Sequence, residues 1–165
     1  MGAISSSLEL YSQERMGYEF AFEGIRNPFF TSDKNVQPGK RYTRGYILSL
    51  RQKFYNESSF GMWYFGHNVR YAQLNHFVNK ISSRVPASAL EKRFEYGLIL
   101  GNRLMQQNDG NGFTIDAFLG AGIGFRNVSY DPAFESYFSS LKKRNTIPLF
   151  QFGLNLGYSL SFDRN

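Results

Sequence analysis

The stretch FQFGLNLGYSLSF, residues 150–162, alternates a large apolar residue with a small or polar one at every step. This period of two is typical of a β-strand with two different faces, because successive side chains of a strand point to opposite sides. The bulky face, from Phe150 to Phe162, has aromatic residues towards both ends and aliphatic residues in the middle. Whether that face meets lipid or a soluble core decides the class of the protein.

The composition suits a single domain over residues 1–165 that is rich in β-structure. Aromatic residues make up 18% of the chain and there are 16 glycines, a mixture that favours strands over helices. The net charge of +6 indicates anionic surroundings. The chain has no cysteine, which excludes disulfides and thiolate metal sites. The longest mainly apolar run, 117–125, is far shorter than the roughly 20 residues of a membrane-spanning helix, so a helical membrane protein is excluded.

The same alternation recurs between turn-forming residues and predicts seven antiparallel strands. They lie near 3–12, 17–27, 41–55, 60–77, 92–107, 113–127 and 147–162. The connections alternate between short turns and long loops, which is typical of an up-and-down outer-membrane barrel. Such barrels normally have an even number of strands. We therefore expect an eighth strand before Met1, unless one of the predicted strands is two.

Two features favour lipid on the bulky face. The opposite face of the last strand carries Gly153 and Gly157, and small residues of this kind suit the crowded inside of a narrow barrel better than a soluble exterior. The aromatic ends of the bulky face match the girdles that a bilayer selects. The fold expected is an all-β, up-and-down antiparallel transmembrane barrel of about eight strands.

Opposite charges fall on the glycine-bearing face. Counting residues outward from the connections gives three pairs: Arg103 with Asp116, Glu95 with Arg126, and Glu19 with Arg51. Slipping one strand by a single residue would destroy such pairs. Because buried charges persist only when they are paired, we expect a polar, ion-paired plug that leaves little room for a pore.

With these features, the chain resembles the small bacterial outer-membrane β-barrels, of which the OmpA transmembrane domain and OmpX are familiar. The resemblance extends from Ala3 to Phe162, and its most specific part is the aromatic-ended last strand, which is similar to the signal read by the barrel assembly machinery. The chain departs from the pattern because 163–165 follow the final aromatic residue. The resemblance implies a Gram-negative outer-membrane location and a structural or accessory role, without catalysis or a cofactor, in contact with lipid and other outer-membrane proteins.

The long loops are rich in basic residues. These are Lys34, Lys40, Lys80, Arg84, Lys142, Lys143 and Arg144. On the outer surface they would face lipopolysaccharide phosphates, for which Lys and Arg are natural partners, although a run of charges is also common on any solvated loop. Nucleic-acid binding is not expected, because the basic residues sit in separate loops without a recognisable module.

The segment 131–144 predicts a short amphipathic helix in a loop. Asp131 is suited to cap it, Pro132 to begin it, and the aromatic residues Phe134 and Phe138 share one helical face. Such a helix either caps the barrel or docks on a partner.

The histidines are a second point of interest. The least costly register for 60–77 turns His67 towards lipid. One explanation is a bulge at Gly66 or a shifted membrane boundary. The other is that this strand faces a protein partner within the membrane. His67 and His76 are the only histidines and lack a clear third ligand, so no metal site is expected.

Two other classes stay open at this stage. A soluble lipocalin-like binder would turn the bulky face inward around an apolar ligand. A lipid-modifying enzyme similar to the palmitoyl transferase of the outer membrane would need a nucleophile, a base and an acid at one rim. His76 is a reasonable base there, but the sequence offers no obvious nucleophile.

Overall fold

In the computed structural model, the chain forms one antiparallel sheet whose seven strands follow each other in sequence order. The strands are β1 Gly2–Gln13, β2 Met16–Asn27, β3 Arg41–Ser58, β4 Gly61–Val78, β5 Ala87–Asn108, β6 Asn111–Tyr130 and β7 Arg144–Ser159. The structure describes residues 2–13, 15–28, 36, 39–58, 61–79, 87–108, 111–141 and 143–159. Each predicted strand is present, which confirms the all-β, up-and-down fold class.

The sheet curls around one enclosed face. Side chains from strands that are far apart in the sheet meet across the interior. Lys53 Nζ of β3 lies 2.8 Å from Asp116 Oδ2 of β6, and the Asn68 amide of β4 donates to Gln151 Oε1 of β7 at 2.7 Å. We call the enclosed side the inner face and the opposite side the outer face. Successive residues of each strand alternate between the two faces.

The two edges of the sheet, β1 and β7, approach each other without pairing in the described part of the chain. A cavity of about 160 Å³ lies between them, and Ser7 of β1 and Asn155 of β7 both line it. The curl therefore brings the edges to one shared cavity, but hydrogen bonds do not close the sheet there.

The outer face is apolar and exposed. Phe150 is 86% exposed and Phe152 is 87% exposed, and the aliphatic residues that follow them at every second position of β7 are also exposed. The bulky face of the last strand thus points away from the interior over residues 150–158. Leu160 and Phe162 lie outside the described residues.

The inner face is crowded where glycines meet large rings. Gly97 and Gly122 are direct partners in the β5–β6 register, and a Cβ on Gly122 would overlap the backbone carbonyl of Tyr96. The ring of Phe118 covers Gly153 so closely that a Cβ on that glycine would overlap it. These contacts leave the interior narrow and filled, as the glycine positions predict.

The long connection between β6 and β7 carries the predicted helix. The Asp131 side chain accepts a hydrogen bond from the backbone N–H of Ala133 at 2.9 Å, and a 3₁₀ turn over Pro132–Phe134 leads into α1, Glu135–Phe138. Phe138 is fully buried in an apolar cluster that we call the end cluster. The end cluster consists of Val78, Ala87, Ala89, Val128, Phe138 and Leu141. In the parts of the chain that the structure describes, no helix is long and apolar enough to cross a membrane.

Candidate functional site

One continuous chain of ion pairs runs through the interior, and we call it the inner network. Its members in spatial order are His76, Glu91, Arg93, Glu95, Arg70, Glu23, Arg51, Glu19, Lys53, Glu9, Arg103 and Asp116. Each contact between neighbours in this order is 3.8 Å or shorter, and acids and bases alternate at every step. From Arg93 to Arg103 in this order, every charge lies between two opposite charges, which is the condition for keeping buried charges out of water.

Two of the predicted ion pairs belong to the inner network. Arg103 Nη2 lies 3.2 Å from Asp116 Oδ2, and these residues are direct partners in the β5–β6 register. Arg51 Nη1 donates to Glu19 Oε1 at 2.8 Å, with both side chains buried.

The third predicted pair differs in its partners. Arg126 lies opposite Arg93 in the register, two residues away from the partner of Glu95. Glu95 instead contacts Arg70 on the other neighbouring strand, β4, at 3.1 Å, and Arg93 at 3.4 Å. Counting along a single hairpin missed this because it considers only one of the two strands that flank Glu95.

Lys53 is the centre of the network, and the sequence reasoning missed it. Its ammonium lies 3.0 Å from Glu9, 2.6 Å from Glu19 and 2.8 Å from Asp116, and its side chain is fully buried. Tyr64 donates its hydroxyl to the other oxygen of Asp116 at 2.7 Å. The signal was available, since Lys53 and Arg51 are two residues apart and must share a face.

The three carboxylates around Lys53 have the spacing of a cation site. Oxygens of Glu9, Glu19 and Asp116 all lie within 4.8 Å of one another. The ammonium of Lys53 occupies their centre, and its three N–H donors match the three acids. This cluster therefore holds a cation that belongs to the chain itself.

His76 contacts a hydroxyl group that the sequence analysis did not predict. Its Nδ1 lies 2.9 Å from Thr43 Oγ1, and its Nε2 lies 2.7 Å from Glu91 Oε2. A hydroxyl, an imidazole and a carboxylate in contact are the parts of a nucleophilic site, but a nucleophile must be reachable by its substrate. All three side chains are buried, and Ala89 of the end cluster is the register partner of His76. This geometry suits a terminus of the inner network better than a catalytic centre.

His67 lies on the outer face, as the sequence predicts. The predicted bulge at Gly66 is wrong, because Gly66 pairs in unbroken register with Lys53 and Ile99. The His67 ring makes a 2.7 Å contact from Nδ1 to the hydroxyl of Tyr96. This hydrogen bond between two outer-face side chains reduces the cost of an imidazole in an apolar setting, and partner contact at His67 stays a prediction.

The loop aromatics Phe134 and Phe138 pack against the end cluster. Phe138 is fully buried, with its ring centroid 5.7 Å from that of Tyr130, and Phe134 is partly buried against the same end cluster. Phe138 is therefore covered by the end cluster in this conformation, and partner contact at Phe134 stays a prediction.

Three of the predicted glycolipid-contacting residues are described. Lys40, Lys143 and Arg144 are exposed, and Lys143 Nζ also lies 5.3 Å from the centroid of the Tyr130 ring. The other four predicted residues fall outside the described residues: Lys34, Lys80, Arg84 and Lys142.

The strands contribute further basic residues at the same end of the sheet. We call this end, where the long connections lie, the long-loop end. Outer-face positions near it are occupied by Arg26, Arg44 and Lys92, beside Arg144 at the start of β7. The outer positions near the short turns include Gln52, Asn56, Trp63 and Asn102 instead. The sequence signal for this asymmetry is a basic residue that ends an apolar alternation just beside a long connection.

Comparison of the chain with protein-family models, with curated proteins and with solved structures found no match. The inner network, the apolar outer face and the basic long-loop end are therefore the features that bear on function.

Proposed function

We propose that this protein is a non-catalytic β-barrel of the bacterial outer membrane, a structural or accessory component that contacts outer-leaflet glycolipid. The observation that carries the proposal is the inversion of polarity between the two faces. Phe152 is 87% exposed, whereas Lys53 is fully buried. A protein folded in water hides its apolar side chains and exposes its charges, and monomers rarely expose an apolar patch of more than a few hundred Å². Hydrocarbon around the outer face would satisfy both conditions.

The proposal requires the sheet to close. Each unpaired backbone N–H or C=O group at the edges of β1 and β7 would cost roughly several kcal/mol in hydrocarbon. A strand running from the short turns to the long-loop end would be antiparallel to both edges and would complete eight strands. Such a strand would lie between the edges of β1 and β7, where both strands line the same cavity.

The filled interior supports an accessory role over conduction. The inner network runs along the interior, and the end cluster covers it at the long-loop end. The basic residues of that end are suited to the phosphates of lipopolysaccharide. Contact with another outer-membrane protein is a second partner class, for which the polar pair of His67 and Tyr96 is the candidate surface.

The test is the behaviour of the protein expressed with a secretion signal and its upstream coding region. We expect it to fractionate with outer membranes, to resist carbonate extraction, and to migrate faster unboiled than boiled on a denaturing gel. A protein that stays monomeric and β-rich in buffer without detergent would overturn the proposal. That result would mean that the exposed apolar outer face meets water and not hydrocarbon.

A further inference from the structure

A groove of about 610 Å³ crosses the outer face of the first four strands. Apolar side chains from β1 to β4 form its walls, among them Leu8, Phe20, Phe22, Leu48, Leu50 and Val69. Ser6 of β1 also lines it and adds depth, because it is a small residue at an outer position between Ile4 and Leu8.

Two arginines lie beyond one end of this groove. Arg26 and Arg44 are direct partners in the β2–β3 register, next to the last pair of that ladder at the long-loop end. Leu48 and Arg44 are separated by about 13 Å along β3, given roughly 3.3 Å per residue. Tyr46 lies between them, with its ring stacked on Phe22 at a centroid distance of 6.2 Å. Along one strand the outer face thus changes from aliphatic to tyrosine to guanidinium.

Gly24 leaves a passage between the groove and the arginines. It occupies the outer position of β2 between Phe22 and Arg26. A Cβ built on it would meet its nearest neighbour, the backbone oxygen of Ile4, at an ordinary distance of 3.8 Å. The position therefore has room for a side chain and carries none.

We propose that this groove binds one phosphate-bearing lipid with a net negative headgroup, with an acyl chain along the groove and the phosphate at Arg26 and Arg44. The charge of the arginine pair identifies the headgroup as anionic, because guanidinium groups bind phosphate oxygens through paired N–H donors. The apolar walls and the separation of about 13 Å suit a hydrocarbon chain that starts at the headgroup. This proposal rests on the membrane location proposed above.

The test uses the full-length protein purified in mild detergent and titrated with phosphatidylglycerol or phosphatidylcholine, with bound lipid counted by native mass spectrometry. We expect one phosphatidylglycerol to be retained in preference to phosphatidylcholine. The variant Arg26→Gln/Arg44→Gln is expected to bind phosphatidylglycerol about tenfold more weakly or worse, since it removes charge-assisted contacts. Gly24→Leu blocks the passage and is expected to weaken binding while leaving both arginines in place.

The control is Arg15→Gln, which removes an exposed positive charge from the short turn between β1 and β2, away from the groove and from the basic long-loop end. If the control and the arginine variant lose lipid equally, binding depends on the net charge of the protein and not on Arg26 and Arg44, which would refute the proposed site. Retention of lipid by the arginine variant, or by Gly24→Leu, would overturn it as well. A protein that needs no detergent would instead refute the membrane proposal, and that outcome is seen before any lipid is added.

Discussion

The ammonium of Lys53 lies 2.6 Å from Glu19 Oε2 at the point where three buried carboxylates converge. Each of those acids has a further cationic or hydroxyl partner, so that Lys53 links the two halves of the inner network. The Arg51 guanidinium binds the other oxygen of Glu19, and Tyr64 binds the other oxygen of Asp116. A single side chain therefore compensates charge on β1, β2 and β6 at once.

Replacing Lys53 with methionine should destabilise the protein strongly. The variant Lys53→Met keeps most of the side-chain volume but leaves Glu9, Glu19 and Asp116 short of one positive charge. Removing one partner of a buried ion pair typically costs about 3–5 kcal/mol. The measurement is urea unfolding of the protein refolded into lipid vesicles, followed by the mobility difference between boiled and unboiled samples.

The control for this prediction is Lys92→Met, which removes an exposed lysine from the outer face. We expect it to change the free energy of unfolding by less than about 1 kcal/mol. The double variant Lys53→Met/Asp116→Asn should recover part of the loss, because it removes one of the uncompensated charges. Equal stability of Lys53→Met and wild type would contradict a central role for this lysine.

A side chain at Gly122 should prevent folding. A Cβ there would overlap backbone atoms of Tyr96 and Gly97, which cannot rotate away. Gly122→Val is therefore expected to abolish the fast-migrating folded band. Its neighbour Ala121 faces outward and is exposed, so Ala121→Val serves as the control and should fold normally. Because valine favours strands more than alanine or glycine does, loss of folding in both variants would mean that β6 tolerates no added bulk on either face, which would contradict a specific role of the crowded inner face.

The regular features of the fold were predictable from the sequence, because alternation is a local property of a strand. The exposed bulky face of β7 and the Arg103–Asp116 pair both follow from periodicity and a single short turn. The start of β5 was predicted less well. The strand begins at Ala87 and not at 92, because Ala87 and Ala89 pack in the end cluster with Phe138. Phe138 lies about 50 residues further along the chain, and a local pattern does not report contacts at that sequence separation.

The functional features depended more on contacts between distant strands. The convergence of Lys53, Glu9 and Asp116 joins β3, β1 and β6, and it appears only when the curl of the sheet is known. Thr43 is instead a direct partner of His76 in the β3–β4 register, so counting along that hairpin would have found this contact. The pair of Arg26 and Arg44 was missed because the prediction considered basic residues in the long loops and not those at the ends of strands.

The buried contacts of His76 should be structural. Both Thr43→Val and His76→Gln remove a hydrogen bond of the buried set, and each is expected to lower the free energy of unfolding by about 1–3 kcal/mol. We also expect wild-type protein to release no p-nitrophenol from a p-nitrophenyl ester above the detergent blank. Ester hydrolysis that is lost equally in both variants, with folding intact, would instead support the lipid-modifying class.

The outer face offers a direct discrimination between hydrocarbon and water. Leu119 is 68% exposed on β6, with Leu100 and Phe152 beside it in the register. An arginine near the middle of a bilayer costs a transmembrane barrel about 2–4 kcal/mol, whereas one near the interface costs about 0–1 kcal/mol. In lipid vesicles we therefore expect Leu119→Arg to lower the free energy of unfolding by the larger amount.

The matched control is Ser129→Arg, on the same strand and the same outer face but at the long-loop end. It should change the free energy of unfolding by the smaller amount. Both variants add the same side chain to an exposed position of one strand. The difference in their free energies of unfolding therefore shows whether the cost of an arginine rises towards the middle of the outer face. If the two are equally tolerated, the outer face meets water, since an exposed arginine on a soluble strand changes stability only by about 0.5 kcal/mol.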